Sequence, residues 1–498
     1  MIDPVIGGRI QFAVALTIHI IFASLSVGLG PFLVYFVVQE IRTGEERYTR
    51  LRAFFTKVFG VGFVMGTATG IPLGFMFGTN FATFSTIAGE MIGGPLSFEA
   101  KMAFFLEAVF LGVLLFGRKR VSDRFYALSA VFVTLGAWIS AFWILVVNSW
   151  MQTPRGYELV ERNGMEVTQL VDPLAAFLNP RLPWMYVHMQ NAALISVTLL
   201  IAGIAAYFVW RNRDSQTWQT ALRVAVVVLL VTSVFQVIHG DLYARHVYDT
   251  QPHKFAAMEA QYESAEGADL HIIAIPTDPS AFTDPRAENL FTISIPYMAS
   301  FLASGGDPFA EVTGLNDFDY ESPPVAFVFW SFRIMVGLGF WFVALGCWGV
   351  YRLWRGDLFT DERYLKALMA SSPLGFVALI TGWYVTEIGR QPWLIQDVLQ
   401  TSDGATVGLS STEMTLSLFG IGVGYLAVLV LFGYIVARFM RDERQTEREN
   451  TERKSDGNGD SKPESESELE SEPIAKSDST TKPNTGSDPA KSEGVTDE

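Results

Sequence analysis

The sequence has a single cysteine, Cys347, and only six histidines in 498 residues. One cysteine excludes intrachain disulfides, thiolate zinc sites, iron–sulfur clusters and the CxxCH motif that attaches haem covalently. Charged residues are also scarce, at 17% of the chain, whereas half of all residues are hydrophobic and 13% are aromatic. This balance is typical of an integral membrane protein and not of a soluble enzyme.

The net charge of −15 is concentrated in two polar segments. Residues 441–498 hold 17 acidic and 9 basic residues, and residues 240–326 hold 14 acidic and 3 basic residues. The first segment has too few apolar residues for a packed core, so we predict a disordered acidic tail. The second segment is too long for a simple connection, so we predict a substantial loop that serves binding or gating.

Nine stretches are apolar over about 20 residues or more, the length that crosses a bilayer. They lie at 10–38, 54–78, 97–117, 126–149, 184–210, 220–239, 325–351, 364–386 and 413–438. The linkers 39–57, 118–125, 211–223 and 352–366 are rich in Arg and Lys, whereas the alternate linkers are poor in both. The positive-inside rule therefore predicts an all-α, multi-pass membrane protein with its N-terminus outside and its C-terminus inside.

Ionisable side chains within apolar stretches are costly unless they are paired or used, so each is a candidate functional residue. His19 lies midway along the first stretch and His188 opens the fifth. Glu99 and Glu107 lie on the third stretch, about 12 Å apart along a helix axis. Two such carboxylates favour a proton route or polar groups that face a haem. In the structural alternative, Glu99 lies at the membrane interface and only Glu107 is buried. Lys101 could pair with either carboxylate.

Two later stretches carry an arginine beside a residue that can bind iron. Arg333 accompanies Met335 in the seventh stretch, and a thioether is a haem-iron ligand that raises the reduction potential. A methionine in a membrane span is more often a packing residue, so only the neighbouring arginine makes Met335 a candidate. Glu387 and Arg390 end the eighth stretch, where a simple belt of aromatic and basic anchors is the alternative interpretation.

Five motifs together resemble subunit I of the cytochrome bd-type quinol oxidases, over about residues 3–440. They are "FEAKMAFFLE" (98–107), "WILVVNSWMQTP" (143–154), "KFAAMEAQYE" (254–263), "FRIM" (332–335) and "GWYVTEIGRQPW" (382–393). The resemblance implies a nine-span subunit in a prokaryotic cell membrane that carries three haems, oxidises membrane quinol and reduces dioxygen to water. It also implies a second integral subunit (subunit II) and small accessory subunits, with no role for nucleic acid.

The resemblance also assigns the iron ligands residue by residue. It implies that His188 and Met335 are the axial ligands of a low-spin haem b, with Arg333 supporting the reduced haem or its propionates. It implies that His19 and Glu387 are ligands of two high-spin haems, one haem b and one haem d, in an order that stays open. A third haem b would accept the same ligands as haem d.

Further roles follow from the same motifs. Arg390 would pair with haem propionates, and Trp383 would pack near the haems. Glu99 and Glu107 match the carboxylates of the oxygen site and its proton path. Ser140 and Asn148 match further polar positions of that path.

The outside loop contains the residues implied for quinol oxidation, Lys254 and Glu259. The loop is short for the family. The expected organisation is 1–239 for spans one to six, 240–324 for the quinol-binding loop, 325–440 for spans seven to nine and 441–498 for the acidic cytoplasmic tail. Release of quinol protons outside and uptake of protons for water from inside would generate a proton gradient without a pump.

Other functions compete with this interpretation. An all-b, cyanide-insensitive oxidase and a haem b quinol oxidoreductase that lacks oxygen chemistry would use the same quinol-oxidising fold. A haem–copper oxidase would need more membrane histidines than this chain provides. A secondary transporter could use Glu99, Glu107 and Glu387 as proton relays, and it would hold no haem.

Overall fold

The computed structural model describes residues 2–276, 288–319 and 321–456, with side chains described as far as residue 449. Part of the predicted outside loop, residues 277–287, and most of the predicted acidic tail, residues 457–498, lie outside the described residues. The chain divides into two units, residues 1–447 and 448–498, and the first contains all the candidate site residues.

The described chain is mainly helical, and its fifteen α-helices are numbered here in chain order. They are α1 (Pro4–Thr43), α2 (Glu46–Thr79), α3 (Ala82–Ile87), α4 (Gly89–Phe98), α5 (Phe104–Phe116), α6 (Asp123–Gln152), α7 (Pro173–Phe177), α8 (Leu182–Arg211), α9 (Gln216–Thr250), α10 (Pro252–Glu259), α11 (Met298–Ser304), α12 (Val325–Arg355), α13 (Glu362–Ser371), α14 (Leu374–Ile388) and α15 (Ser411–Asp456). The prediction of an all-α membrane protein is confirmed.

Eight helical segments in the described residues are long and apolar enough to cross a membrane. The predicted span 97–117 is different, because the π-helical turn Glu99–Ala103 interrupts it between α4 and α5. Such turns occur often at functional sites, and this one carries the candidate residue Glu99. The count of nine spans and the orientation of the termini stay predictions.

Two predicted boundaries differ from the structure. The helix α9 continues past the predicted end at residue 239 and stops at Thr250. Pro252 explains the stop, because the residue before a proline is disfavoured in the α conformation, and Gln251 has φ −141° and ψ 64°. The last helix, α15, extends to Asp456, beyond the predicted start of the tail at 441.

The linkers contain four two-stranded antiparallel ribbons, which the apolar pattern did not predict. Their strands are β1 (Tyr157–Arg162), β2 (Met165–Leu170), β3 (Ala265–Glu266), β4 (Leu270–Pro276), β5 (Asn289–Ile295), β6 (Glu311–Val312), β7 (Trp393–Ile395) and β8 (Leu399–Gln400). The pairs are β1–β2, β3–β6, β4–β5 and β7–β8. The candidate quinol residues Lys254 and Glu259 both lie on α10, which precedes β3 in the chain.

The helices pack around α1 and α8. Helix α1 packs against α2, α6 and α8, and helix α8 also packs against α9, α13 and α14. Trp218 is fully buried and stacks on Phe208 with ring centroids 4.2 Å apart. Large apolar side chains on the outer surface, such as Phe75 and Phe419, are about 70% exposed, as expected where lipid replaces water.

Candidate functional site

A cavity of about 810 Å³ lies among α8, α9, α12 and α14, next to α10. His188 on α8 and Met335 on α12 both line it. The volume is in the range of pockets that hold cofactors and drug-sized ligands. The cavity therefore brings together the two residues that the resemblance implies as ligands of one haem.

Glycines on the neighbouring helices leave room beside both side chains. A Cβ atom at Gly240 of α9 would lie 3.4 Å from His188 Cε1, and one at Gly382 of α14 would lie 2.8 Å from Met335 Sδ. The buried Nδ1 atom of His188 has no hydrogen-bond partner in the described part of the chain. A buried ring nitrogen without a partner suits a bound ligand, and an imidazole and a thioether that line one cavity fit the iron of a haem.

Lys254, on α10, lines the same cavity but is only 2% exposed. Its ammonium donates to Gln251 Oε1 at 2.9 Å, to the Thr386 carbonyl oxygen at 3.1 Å and to Gln152 Oε1. All three acceptors are neutral. Within the predicted 240–324 loop, the amino group of Lys254 therefore lies inside the protein among amide and carbonyl oxygens and not at the loop surface.

A second buried cation, Arg181, lies beside Lys254. Its Nη1 atom donates to Gln251 Oε1 at 2.5 Å, and its guanidinium lies 5.1 Å from the ring centroid of Tyr243. Burial lowers the pKa of Lys254 well below its usual range, and the positive charges of Arg181 and Arg390 lower it further. Arg181 does not stand out in the sequence, because it lies just before an apolar stretch and resembles an ordinary linker arginine.

Arg333 and Glu259 form a buried ion pair in the wall of the cavity. The Nη2 atom of Arg333 donates to Glu259 Oε2 at 2.6 Å, and its Nε atom donates to the His271 carbonyl oxygen at 2.6 Å. Arg333 is therefore bound to the loop as well as being two residues from Met335. Arg333 therefore connects the proposed quinol residue Glu259 to the helix that carries the proposed haem ligand Met335.

His19 lies on α1 against α2, in a second place that suits iron. Its Nδ1 atom is 3.0 Å from Thr69 Oγ1, and that hydroxyl donates to the carbonyl oxygens of Met65 and Gly66. Since the hydroxyl proton is used, the hydroxyl oxygen accepts from Nδ1–H, which leaves Nε2 with its lone pair for a metal. A Cβ atom at Gly70 would lie 2.8 Å from His19 Cε1, so glycine gives the ring its space.

Glu387, near the end of α14, is held on both carboxylate oxygens. Asn148 Nδ2 donates to Oε1 at 2.6 Å, and Arg390 Nη2 donates to Oε2 at 2.8 Å. Hydrogen bonds of this kind orient ligating carboxylates. The Nε and Nη1 atoms of Arg390 and the Nε1 atom of Trp383 are buried donors without partners in the described residues, so they fit the acceptor groups of a bound anion.

The two carboxylates of the third predicted span have different surroundings. Glu99 Oε1 accepts a hydrogen bond from Ser140 Oγ at 2.8 Å. Glu107 is buried, and its Oε1 atom has no partner among the described residues. Lys101 is exposed, and no hydrogen bond or ion pair joins it to Glu99 or Glu107 in the described chain. A structural pairing of Lys101 with either carboxylate is therefore not seen.

No group of three or more His, Cys, Asp and Glu side chains that could hold a bare metal ion occurs in the described residues. The candidate ligands are instead single residues on different helices, each beside a glycine or a hydrogen-bonding partner. Iron whose remaining ligands come from a macrocycle suits such a set. The fold and the site together define a multi-pass membrane protein built to hold haem.

The family model described as "Cytochrome bd terminal oxidase subunit I" matches residues 8–444. The chain belongs to this family. It is 30% identical over 448 residues to cytochrome bd ubiquinol oxidase subunit 1 of Bacillus subtilis, covering 86% of this chain and 92% of that protein. It is 28% identical over 509 residues to cytochrome bd-II ubiquinol oxidase subunit 1 of Escherichia coli, covering 89% of this chain and 97% of that protein.

The fold is also similar to a solved structure, the bd oxidase from Geobacillus thermodenitrificans. The TM-score is 0.80 at 29% sequence identity, with 88% of this chain and 99% of that chain covered. The resemblance seen in the five motifs is therefore confirmed. The chain is a subunit of a terminal quinol oxidase that uses haem, and it is a multi-pass protein of a prokaryotic cell membrane.

Proposed function

We propose that this chain carries three haems, oxidises quinol at its 240–324 loop and reduces dioxygen to water on the haems. The observation that supports this most strongly is that His188 and Met335 line one cavity, each beside a glycine. Bound haem would supply electron transfer between the two substrates and the site for dioxygen. His188 and Met335 would hold a low-spin haem b, and His19 and Glu387 would hold two high-spin haems, one b and one d.

The quinol site is proposed at Glu259 and Lys254, which line the same cavity as the low-spin ligands. Glu259 would accept a quinol proton. To do so, its carboxylate would have to release the Arg333 guanidinium with which it is paired. Lys254 would bind a quinol oxygen from within the protein. The curated relatives in Bacillus subtilis and Escherichia coli are named for ubiquinol, and the related quinols share the oxygen atoms that these side chains would bind.

Protons for water are proposed to reach the oxygen site through Glu99 and Glu107 on the π-helical turn and α5. Ser140 holds the first carboxylate, and the unpartnered oxygen of the second can accept and pass a proton. Because quinol protons would leave outside and these would enter from inside, each turnover would separate charge across the membrane without pumping. The partner would be a second integral subunit, subunit II, with small accessory subunits.

The experiment is a dithionite-reduced minus air-oxidised visible spectrum of the purified complex, together with its rate of quinol-dependent oxygen consumption. Low-spin b bands beside a red-shifted chlorin band are expected. Bands of haem b alone with oxygen consumption would replace haem d by a third haem b. Bands of haem b without oxygen consumption would favour a quinol oxidoreductase, and absence of haem from folded protein would overturn the assignment of all four ligands.

A further inference from the structure

Arg181 occupies a position that neither the five motifs nor the proposed function uses. It directly precedes α8 with φ −83° and ψ −27°, and its side chain is only 1% exposed. It comes seven residues, about two helical turns, before His188, so the two lie on the same side of the helix. Arg181, His188 and Met335 all line the same cavity.

The hydrogen bonds of Arg181 leave its charge unbalanced. Arg181 donates to a neutral acceptor, the amide oxygen of Gln251, which also accepts from Lys254. Its Nε atom is buried without a partner, and no carboxylate forms an ion pair with Arg181 or Lys254 in the described residues. Two buried like charges that share one neutral oxygen are unfavourable unless an anion completes the site.

The surroundings add further positive charge. Arg390 interacts electrostatically with Arg181 and Lys254, and Glu387 is the one carboxylate among the charged groups acting on Lys254. That carboxylate already accepts from Arg390 at 2.8 Å. Even if the lowered pKa leaves Lys254 neutral, Arg181 and Arg390 supply two positive charges against one carboxylate, so the group is short of negative charge within the described part of the chain. A ligand with two carboxylates on one edge would balance it.

We propose that Arg181 binds a carboxylate side chain of the haem held by His188 and Met335, and that its charge favours the reduced form of that haem. The inference rests on the proposed function, since it requires a haem in this cavity. A porphyrin places its two carboxylates on one edge, and Arg181 and Lys254, which share the Gln251 oxygen, both line this cavity. Reduction adds an electron, so a buried positive charge nearby raises the reduction potential.

The test compares Arg181→Gln, which removes the charge, with Arg181→Lys, which keeps it, in the complex with its native partner subunits. Spectroelectrochemical titration gives the midpoint potential of the low-spin haem. Arg181→Gln is expected to lower the reduction equilibrium constant at least tenfold, which is about 59 mV for a one-electron couple. Arg181→Lys is expected to recover most of that shift.

The matched control is Arg245→Gln. Arg245 lines the same cavity, but it is paired with Asp241 at 2.5 Å and about one third exposed, so its loss should move the potential much less. Equal potentials for Arg181→Gln and Arg245→Gln would overturn the inference. If wild-type complex contains no haem, the proposed function fails; if it contains low-spin haem and only the Arg181 effect is missing, this inference alone fails.

A second variant decides the matter if Arg181→Gln does not fold. Gln251→Glu has nearly the same shape and places a carboxylate between Arg181 and Lys254, where it would satisfy both cations internally. It should compete with the ligand's carboxylate and lower the haem b content per protein, measured as the pyridine haemochrome. Full haem content with an unchanged midpoint potential would overturn the inference.

Discussion

The guanidinium of Arg333 and the carboxylate of Glu259 lie 2.6 Å apart and are both largely buried. This pair joins the short helix α10 to the long apolar helix α12, two residues from Met335. A movement of Glu259 during quinol oxidation would therefore act directly on the helix that carries a proposed iron ligand. The ion pair therefore links Glu259 to the helix that carries Met335.

Removing Arg333 should be costly because it leaves the Glu259 charge buried and unpaired. Arg333→Leu is expected to lower the free energy of unfolding by about 3–5 kcal/mol. Arg333→Leu combined with Glu259→Leu should recover a large part of this loss, since neither charge then remains. Reversible denaturation of the purified complex measures both effects, and a double variant no more stable than Arg333→Leu would contradict the explanation.

Gly382 should be needed for Met335 to reach its proposed ligand position. A methyl group at residue 382 would lie 2.8 Å from Met335 Sδ, so Gly382→Ala should displace the thioether. Because a thioether ligand raises the potential, the midpoint potential of the low-spin haem should fall by about 59 mV or more, a tenfold change. The control Gly337→Ala adds a methyl group to the same helix as Met335 where no atom lies within 4 Å, and it should leave the potential unchanged.

The sequence predicted most of the helices because the bilayer imposes one strong rule, a continuous apolar stretch for each crossing. Long stretches such as α1 and α12 needed no tertiary information. The π-helical turn at Glu99 was missed because it changes the hydrogen-bonding pattern without changing the composition. The end of α9 was missed because the polar residues 241–250 suggest a loop by composition, although the helix stops only near Pro252.

The candidate site was predictable to the extent that motifs carry it. His188 and Met335 lie 147 positions apart in the sequence, and only the resemblance paired them; the structure places both in one cavity. Arg181 and Gln251 were missed because neither lies inside an apolar stretch. The free-energy cost of a polar side chain marks a candidate residue only within such a stretch. Their importance comes from burial and shared hydrogen bonds, which a linear sequence does not show.

Glu107 should be essential for proton delivery but not for electron entry. Glu107→Leu is expected to slow oxygen consumption by about 100-fold or more, the contribution of a positioned acid–base group, while quinol still reduces the low-spin haem. The control Lys101→Leu removes an exposed charge on the preceding π-helical turn and should change the rate less than roughly twofold. Stopped-flow spectra and an oxygen electrode separate the two steps, and normal turnover in Glu107→Leu would refute the route.

The stability of the protein should depend on pH through His253, the second residue of α10 and the neighbour of Lys254. Burial, and next the charge of Lys254, lower the pKa of His253 from 6.5 to about 4. Between these values the unfolded chain binds a proton that the folded chain does not, so stability falls as the pH is lowered from 6.5 to 4. The full loss is about 3 kcal/mol. Thermal unfolding across this window should therefore depend less on pH in His253→Gln than in wild type; equal slopes would show that another group is responsible.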